Sequence, residues 1–165
     1  MDSRVVNALA AGSVAAFLYL GFGGLGAAAT DADAAAQVKQ QVKQREQTMK
    51  SMGGGMQTVA KFVKGEAGSV ADVQAAVAAI TAAAAKDPAL VFPPGTAIGA
   101  ADSHAKPELW QNWPKAVEYW NGLKPAAARL TEAANGGDRA QIAQAMQGVS
   151  KACASCHEDF RQKKQ

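Results

Sequence analysis

The sequence predicts an all-α protein, an antiparallel up-and-down four-helix bundle, on three observations. Alanine dominates the 48% of apolar residues in the 165-residue chain, and only 6% of the residues are aromatic, a balance that favours helix over sheet. Four stretches repeat apolar residues at alternating steps of three and four, the spacing of one helix face. Two of the connections between them are short, as in bundles of antiparallel neighbours. We expect one domain built around a single core.

The first apolar stripe begins at Val38, ends at Phe62 or Val63, and keeps its period over about seven turns. One member of the stripe, Arg45, is charged. Residues 53–55 are three consecutive glycines, which cost about 2–3 kcal/mol relative to alanine in a helix. Either the helix breaks there, or the missing side chains let a large group approach.

The second stripe covers Val70 to Ala84, after a break at 65–69 and before Asp87-Pro88. It is followed by the one long connection, residues 86–112, which is rich in proline and contains a Pro-Pro-Gly turn signal. We expect an ordered loop or a short helix there, because structureless loops of this length are uncommon in compact domains.

The third stripe extends from Trp113 to Ala134 and stops at Gly136-Gly137, a typical helix end. Pro125 lies inside it and predicts a kink or a break. The fourth stripe extends from Ile142 to Phe160, with Asp138 placed as its N-cap. The four stripes together predict the four helices of the bundle.

Chemistry is concentrated in the motif Cys153-Ala154-Ser155-Cys156-His157 on the fourth stripe. Two thiols at positions i and i+3 can each add to a vinyl group of haem, while the adjacent histidine binds the iron. A zinc site would need two more Cys or His ligands, and only His104 remains. A redox dithiol would require a βαβ setting, and a disulfide across a two-residue loop is the structural alternative. We therefore predict one haem c, attached through Cys153 and Cys156.

Two residues of the first stripe extend this hypothesis. A guanidinium in a core is costly without an anionic partner, and a haem propionate would supply one to Arg45; alternatively its head reaches solvent. Met49 lies one turn further on the same face and could bind the iron opposite His157. It could equally be a packing residue, as could Met52. His104 is expected on the surface rather than at the iron.

The N-terminus suggests export. Arg4 is followed by an uncharged stretch from Val5 to Ala29 that ends in three alanines, a pattern typical of a cleaved signal peptide. A stretch of this length could also remain as a membrane anchor. We predict a signal peptide at 1–29 and a haem-binding bundle at 30–165, located in the periplasm.

The chain resembles class II c-type cytochromes, that is, cytochrome c′ and its low-spin, methionine-ligated relatives. The resemblance covers essentially all of the predicted mature chain. It rests on residues 153–161, with the attachment motif near the C-terminus, on residues 45–53, and on residues 92–96 followed by 106–110.

This resemblance implies a bacterial periplasmic protein, often a homodimer, with His157 as the proximal iron ligand. Arg45 corresponds to the family's propionate-side arginine, and Arg161 to a basic residue beside the proximal histidine. Met49 occupies the position where low-spin members have their sixth ligand, although some high-spin members carry methionine there without using it.

Two functions follow as hypotheses, and neither is enzymatic. The first is electron transfer with redox partner proteins, the iron being bound by His157 and Met49. The second is binding of nitric oxide or carbon monoxide at a five-coordinate iron, in a pocket walled by Met49 and Met52. Peroxidase turnover ranks last because no acid–base pair is positioned for it. No Lys/Arg block accompanies the net charge of +3, so no nucleic-acid partner is expected.

Overall fold

Six helices and no β-strand make up the regular structure of residues 30–163, the part of the chain that the computed structural model describes. Four of the helices are long, and two single-turn helices lie in the long connection between the second and the third of these. In chain order the six are α1 (Asp31–Lys64), α2 (Val70–Ala84), α3 (Pro88–Val91), α4 (Glu108–Gln111), α5 (Trp113–Gly136) and α6 (Arg139–Phe160). The all-α prediction is confirmed. The predicted signal peptide, residues 1–29, lies outside the described residues.

The long helices form a four-membered ring in cross-section. Helix α1 packs against α2 and α6, and α5 packs against the same two helices from the other side. The predicted four-helix bundle is therefore confirmed. Among residues 30–163, no helix has the length and hydrophobicity needed to cross a membrane.

The helix ends follow from local side-chain chemistry. Thr30 and Ser69 open α1 and α2 with capping boxes, in which side chains satisfy free backbone N–H groups. The Asp138 carboxylate accepts a hydrogen bond from the Gln141 backbone N–H at 2.8 Å, so the predicted N-cap of α6 is confirmed. Gly137 ends α5 in the left-handed conformation, with φ of 71°.

The break predicted at Pro125 does not occur. Helix α5 is continuous from Trp113 to Gly136 with the proline inside it. Proline removes the hydrogen bond to the carbonyl of Asn121, four residues earlier. Both residues are solvent-exposed, so water can satisfy that carbonyl and the helix continues.

Helix α1 also continues through its three glycines. A Cβ atom on Gly55 would lie 2.9 Å from the backbone oxygen of Ala76 and 2.9 Å from Cγ1 of Ile80, both on α2. A Cβ on Gly53 or Gly54 would meet nothing within 4 Å. Gly55 is therefore the position where the absent side chain lets α1 and α2 approach closely.

Apolar side chains fill only one end of the bundle, where α1 and α5 end and α2 and α6 begin. We call this the filled end. Its buried residues come from all four long helices: Val59, Phe62, Val73, Val77, Leu130, Ala134, Ile142 and Val149. The opposite end contains a cavity, and we call it the hollow end. Helix α2, which the structure describes in full, contributes no residue to the wall of that cavity.

The long connection closes the hollow end and is ordered, as predicted. The Trp110 indole N–H donates a 3.0 Å hydrogen bond to the backbone oxygen of Phe92, and the Trp120 indole N–H donates a 2.9 Å bond to that of Lys86. The rings of Phe92 and Trp120 meet edge to face, with centroids 5.7 Å apart. The bond of Trp110 thus joins two parts of the connection, and the contacts of Trp120 hold the connection against α5.

Replacing Gly55 tests the close approach of α1 and α2. We expect Gly55→Ala to destabilise the protein by about 1–3 kcal/mol, because the added methyl group collides with the backbone of α2. Gly54→Ala is the matched control, and it should stabilise the helix by up to about 1 kcal/mol. Denaturant unfolding measures both, and equal effects of the two substitutions would contradict the close approach.

Candidate haem site

A cavity of about 690 Å³ lies at the hollow end, between α1, α5, α6 and the long connection. Its volume falls within the roughly 300–1,000 Å³ range of sites for small molecules and cofactors. All seven residues predicted from the sequence to contact a cofactor line it: Arg45, Met49, Met52, Cys153, Cys156, His157 and Arg161.

The two thiols belong to successive turns of α6 and line the cavity from the same helix face. Both Cys153 and Cys156 are half-buried and free, so the disulfide alternative is not what the structure shows. Burial raises the pKa of Cys153, and it raises the pKa of Cys156 from the ordinary 9.0 to about 11, with further contributions from Cys153 and Asp159. In the protein without haem both thiols are therefore protonated near neutral pH.

His157 follows the second thiol directly and also lines the cavity. The residue is solvent-exposed, yet the cavity wall removes enough water from its ring to lower its pKa, and the positive charge of Arg161 lowers it further. A lowered pKa favours the neutral imidazole at neutral pH. The neutral ring has a free nitrogen lone pair, as a metal ligand requires.

Arg45 is only 6% exposed, so the alternative in which its head reaches solvent is wrong. Its Nη1 donates to the Thr96 hydroxyl at 2.7 Å, and its Nη2 donates to the Thr96 carbonyl and the Ser103 hydroxyl at 2.8 Å each. The guanidinium also lies 5.5 Å from the ring centre of Phe92. It thus attaches the long connection to α1.

The partners that residues 30–163 provide for this guanidinium are neutral. No carboxylate of residues 30–163 forms an ion pair with Arg45, and burial alone lowers its pKa. Desolvation of an arginine is costly unless a negative charge compensates it. Because Arg45 lines the cavity, an anionic group bound there would supply that charge.

The segment 103–106 of the long connection links this guanidinium to the end of α6. The Ser103 hydroxyl accepts from Arg45, whereas the Lys106 N–H donates to the backbone oxygen of Phe160 at 2.9 Å. The backbone N–H of Gln162 donates in turn to the carbonyl of His104 at 2.8 Å. The C-terminal end of α6, directly after the attachment motif, is thereby fixed to the same segment that Arg45 holds.

Helix α1 forms the wall opposite the motif with Met49, Met52, Gly53 and Met56. Met52 is 6% exposed, and Met49 and Met56 are half-buried. The side chains of Met49 and His157 therefore reach one cavity from two different helices. This is the arrangement that the sequence hypothesis of two opposed iron ligands requires.

Several residues that line the cavity or hold Arg45 were not predicted from the sequence. Thr96 and Ser103 lie 51 and 58 positions from Arg45, a separation that no local pattern reveals. Tyr119 and Trp120 also line the cavity. Trp120 belongs to the third apolar stripe, whose membership signals burial but not a cofactor. His104 is exposed, as expected, at the edge of the cavity.

The donor set fits a haem c. Two thiols with the required spacing, a neighbouring imidazole, an apolar cavity and a buried cation without an anion are each a feature that a covalently bound, propionate-bearing haem would use. The fold and the site thus define a class of protein: a c-type cytochrome built on a four-helix bundle, with the attachment motif in the last helix.

Comparison with known families agrees with this class of protein. The family model described as "Cytochrome C'" matches residues 40–161, so this chain belongs to the cytochrome c′ family. Members of the family carry covalently attached haem c, and the cofactor prediction is confirmed.

Three relatives illustrate the likeness. A cytochrome c-554 of Cereibacter sphaeroides is 42% identical over 74 residues, which is 44% of this chain and 48% of that protein. A cytochrome c-556 of Agrobacterium tumefaciens is 37% identical over 75% of this chain and 98% of its own length. A cytochrome c′ of Pararhodospirillum photometricum is 36% identical over 73% and 95%, respectively.

Solved structures share the fold. Cytochrome c′ from Thermochromatium tepidum matches with a TM-score of 0.71 and 29% identity, over 76% of this chain and 97% of that one. A variant of cytochrome c′ from Alcaligenes xylosoxidans, solved with bound nitric oxide, matches with a TM-score of 0.67 and 26% identity, over 77% and 97%.

Replacing Arg45 separates its charge from its hydrogen bonds. Arg45→Leu should destabilise the protein by roughly 1–3 kcal/mol, since it removes the buried donors that hold Thr96 and Ser103. It should also lower the reduction potential of the haem, because a nearby positive charge stabilises the reduced state. Arg45→Lys keeps the charge but cannot donate the same set of bonds, so it should lose stability and largely keep the potential. Denaturant unfolding and redox titration measure these effects. An Arg45→Leu protein with both properties unchanged would contradict this role.

Proposed function

We propose that this protein is an electron carrier whose haem iron is bound by His157 from α6 and by Met49 from α1. The observation that carries the proposal is that these two side chains line one cavity from two helices. The bound haem supplies one-electron chemistry, with iron alternating between the ferric and ferrous states. The protein performs no reaction on a substrate and exchanges electrons with redox partner proteins.

The chain's own residues suit this task. Leu109, Trp120 and Phe160 are each at most 5% exposed and form an apolar part of the cavity wall. A thioether ligand and burial both raise the reduction potential of a haem. The positive charge of Arg45 acts in the same direction, and its hydrogen bonds keep it in place when the charge at the iron changes.

Further contacts beside the cavity hold the end of α6 against α5. Asp159 accepts a 2.9 Å hydrogen bond from the Tyr119 hydroxyl and forms a 2.8 Å ion pair with Lys115. The Lys115 and Tyr119 groups lower the pKa of Asp159, so this carboxylate stays ionised at neutral pH. Two residues after His157, the end of α6 is thus connected to α5 as well as to the long connection.

A second candidate function is binding of nitric oxide or carbon monoxide at five-coordinate iron. Two observations favour it. The Alcaligenes xylosoxidans protein of the same fold has been solved with nitric oxide, and in this chain Gly53 adds no side chain to the cavity wall one turn after Met49. In this alternative Met49 and Met52 are wall residues and do not bind the iron.

The visible spectrum of the purified ferric protein distinguishes the two functions. We expect a methionine-to-iron charge-transfer band and a low-spin signal. Met49→Ala should abolish the band, produce high-spin iron and lower the reduction potential. Met52→Ala, which removes an equivalent thioether from the same wall, should keep the band. A high-spin wild-type protein without the band would exclude the carrier with His157 and Met49 and favour gas binding.

We also propose that the protein is exported to the periplasm and that residues 1–29 are removed, as the sequence pattern suggests. The mass of the purified protein tests this directly. It should equal that of residues 30–165 plus one haem. A mass that includes the first 29 residues would instead indicate a retained membrane anchor.

A further inference from the structure

We propose that Gly53 determines how readily a small neutral ligand, such as carbon monoxide or nitric oxide, reaches the Met49 side of the bound haem. The inference rests on the proposed placement of haem in the cavity. It applies both where Met49 binds the iron and has to be displaced by the ligand and where Met49 is a wall residue, because it concerns the flank of that side chain.

Gly53 combines two properties. It is exposed, and it is part of the cavity wall. A Cβ atom on Gly53 would meet no other atom within 4 Å. Glycine therefore leaves this part of the wall without a side chain, and no neighbouring side chain covers it.

The direction of helical side chains makes this space specific to Met49. Cα–Cβ bonds in a helix tilt towards its N-terminus, so a side chain covers the turn that precedes it. Any side chain at position 53 would lean over the turn that begins at Met49, four residues earlier. With glycine, that flank of Met49 is bare, and the unbranched methionine side chain has room to move aside.

The neighbouring glycines provide an internal comparison. Gly55 is buried against α2, where a Cβ would be 2.9 Å from Ala76 O. Gly54 is exposed and has empty space around its Cβ position, as Gly53 has, but it is not in the cavity wall. Gly54 is thus a matched control, because it is the same type of residue in the same helix and has the same room for a side chain.

The test measures carbon monoxide association with the ferrous holoprotein by stopped flow. Gly53→Leu should slow association at least about tenfold, equivalent to about 1.4 kcal/mol in the barrier, and Gly53→Ala should have a smaller effect in the same direction. Gly54→Leu and Gly54→Ala should stay within about twofold of the wild type. Equal rates for the Gly53 and Gly54 variants, or a wild type that binds no carbon monoxide, would overturn the inference.

Two further readouts keep the result interpretable. Thermal unfolding should show both leucine variants at least as stable as the wild type, because each replaces an unfavourable helical glycine; if leucine at 53 impairs folding, the alanine pair carries the test. The spectrum of the ligand-free protein reports the iron ligands separately. A high-spin wild type would overturn the carrier proposal while leaving the comparison of Gly53 with Gly54 valid. A low-spin wild type with equal association rates would overturn only the role of Gly53.

Discussion

The buried guanidinium of Arg45 is the interaction on which the hollow end of the bundle depends. It joins α1 to the long connection through Thr96 and Ser103, and the same connection continues to the last turn of α6. Three parts of the chain that are distant in sequence are thus held around one cavity. A lysine could supply the charge but not this set of donors. The arginine therefore has a structural role in the protein as well as an electrostatic role towards a bound anion.

The division of the bundle into a filled and a hollow end explains how a small all-α protein accommodates a large cofactor. At the filled end, residues from all four long helices interdigitate, and Gly55 lets α1 and α2 approach closely. At the hollow end, α2, which is described in full, supplies no residue to the cavity wall. The long connection forms that side of the wall instead, with apolar residues such as Phe92 and Leu109. The long helices can enclose this space because the cofactor, rather than side chains, fills it.

The protonation states in the cavity suit the chemistry that the family performs. Burial favours the neutral forms of the two thiols and of His157, whereas Arg45 is a buried charge in the part of the cavity wall that α1 forms. The motif at 153–157 and the helical periods could be predicted from the sequence, because covalent attachment and helix packing each impose a short, regular spacing. The continuity of α5 at Pro125 could not be predicted, because it depends on the solvent exposure of the carbonyl that proline leaves without a hydrogen bond.

The sequence by itself determined the all-α class, the four long helices with most of their ends, the attachment motif, and the presence of a charged residue in an apolar stripe. Each of these depends on residues within a few turns of one another. Only the tertiary structure decided which groups hold Arg45, that α1 continues through its glycines, and that Gly53, Gly54 and Gly55 have three different environments. The physical reason is distance along the chain: contacts across 51 or 58 residues, and the empty space beside a glycine, exist only after the helices and the connection have packed together.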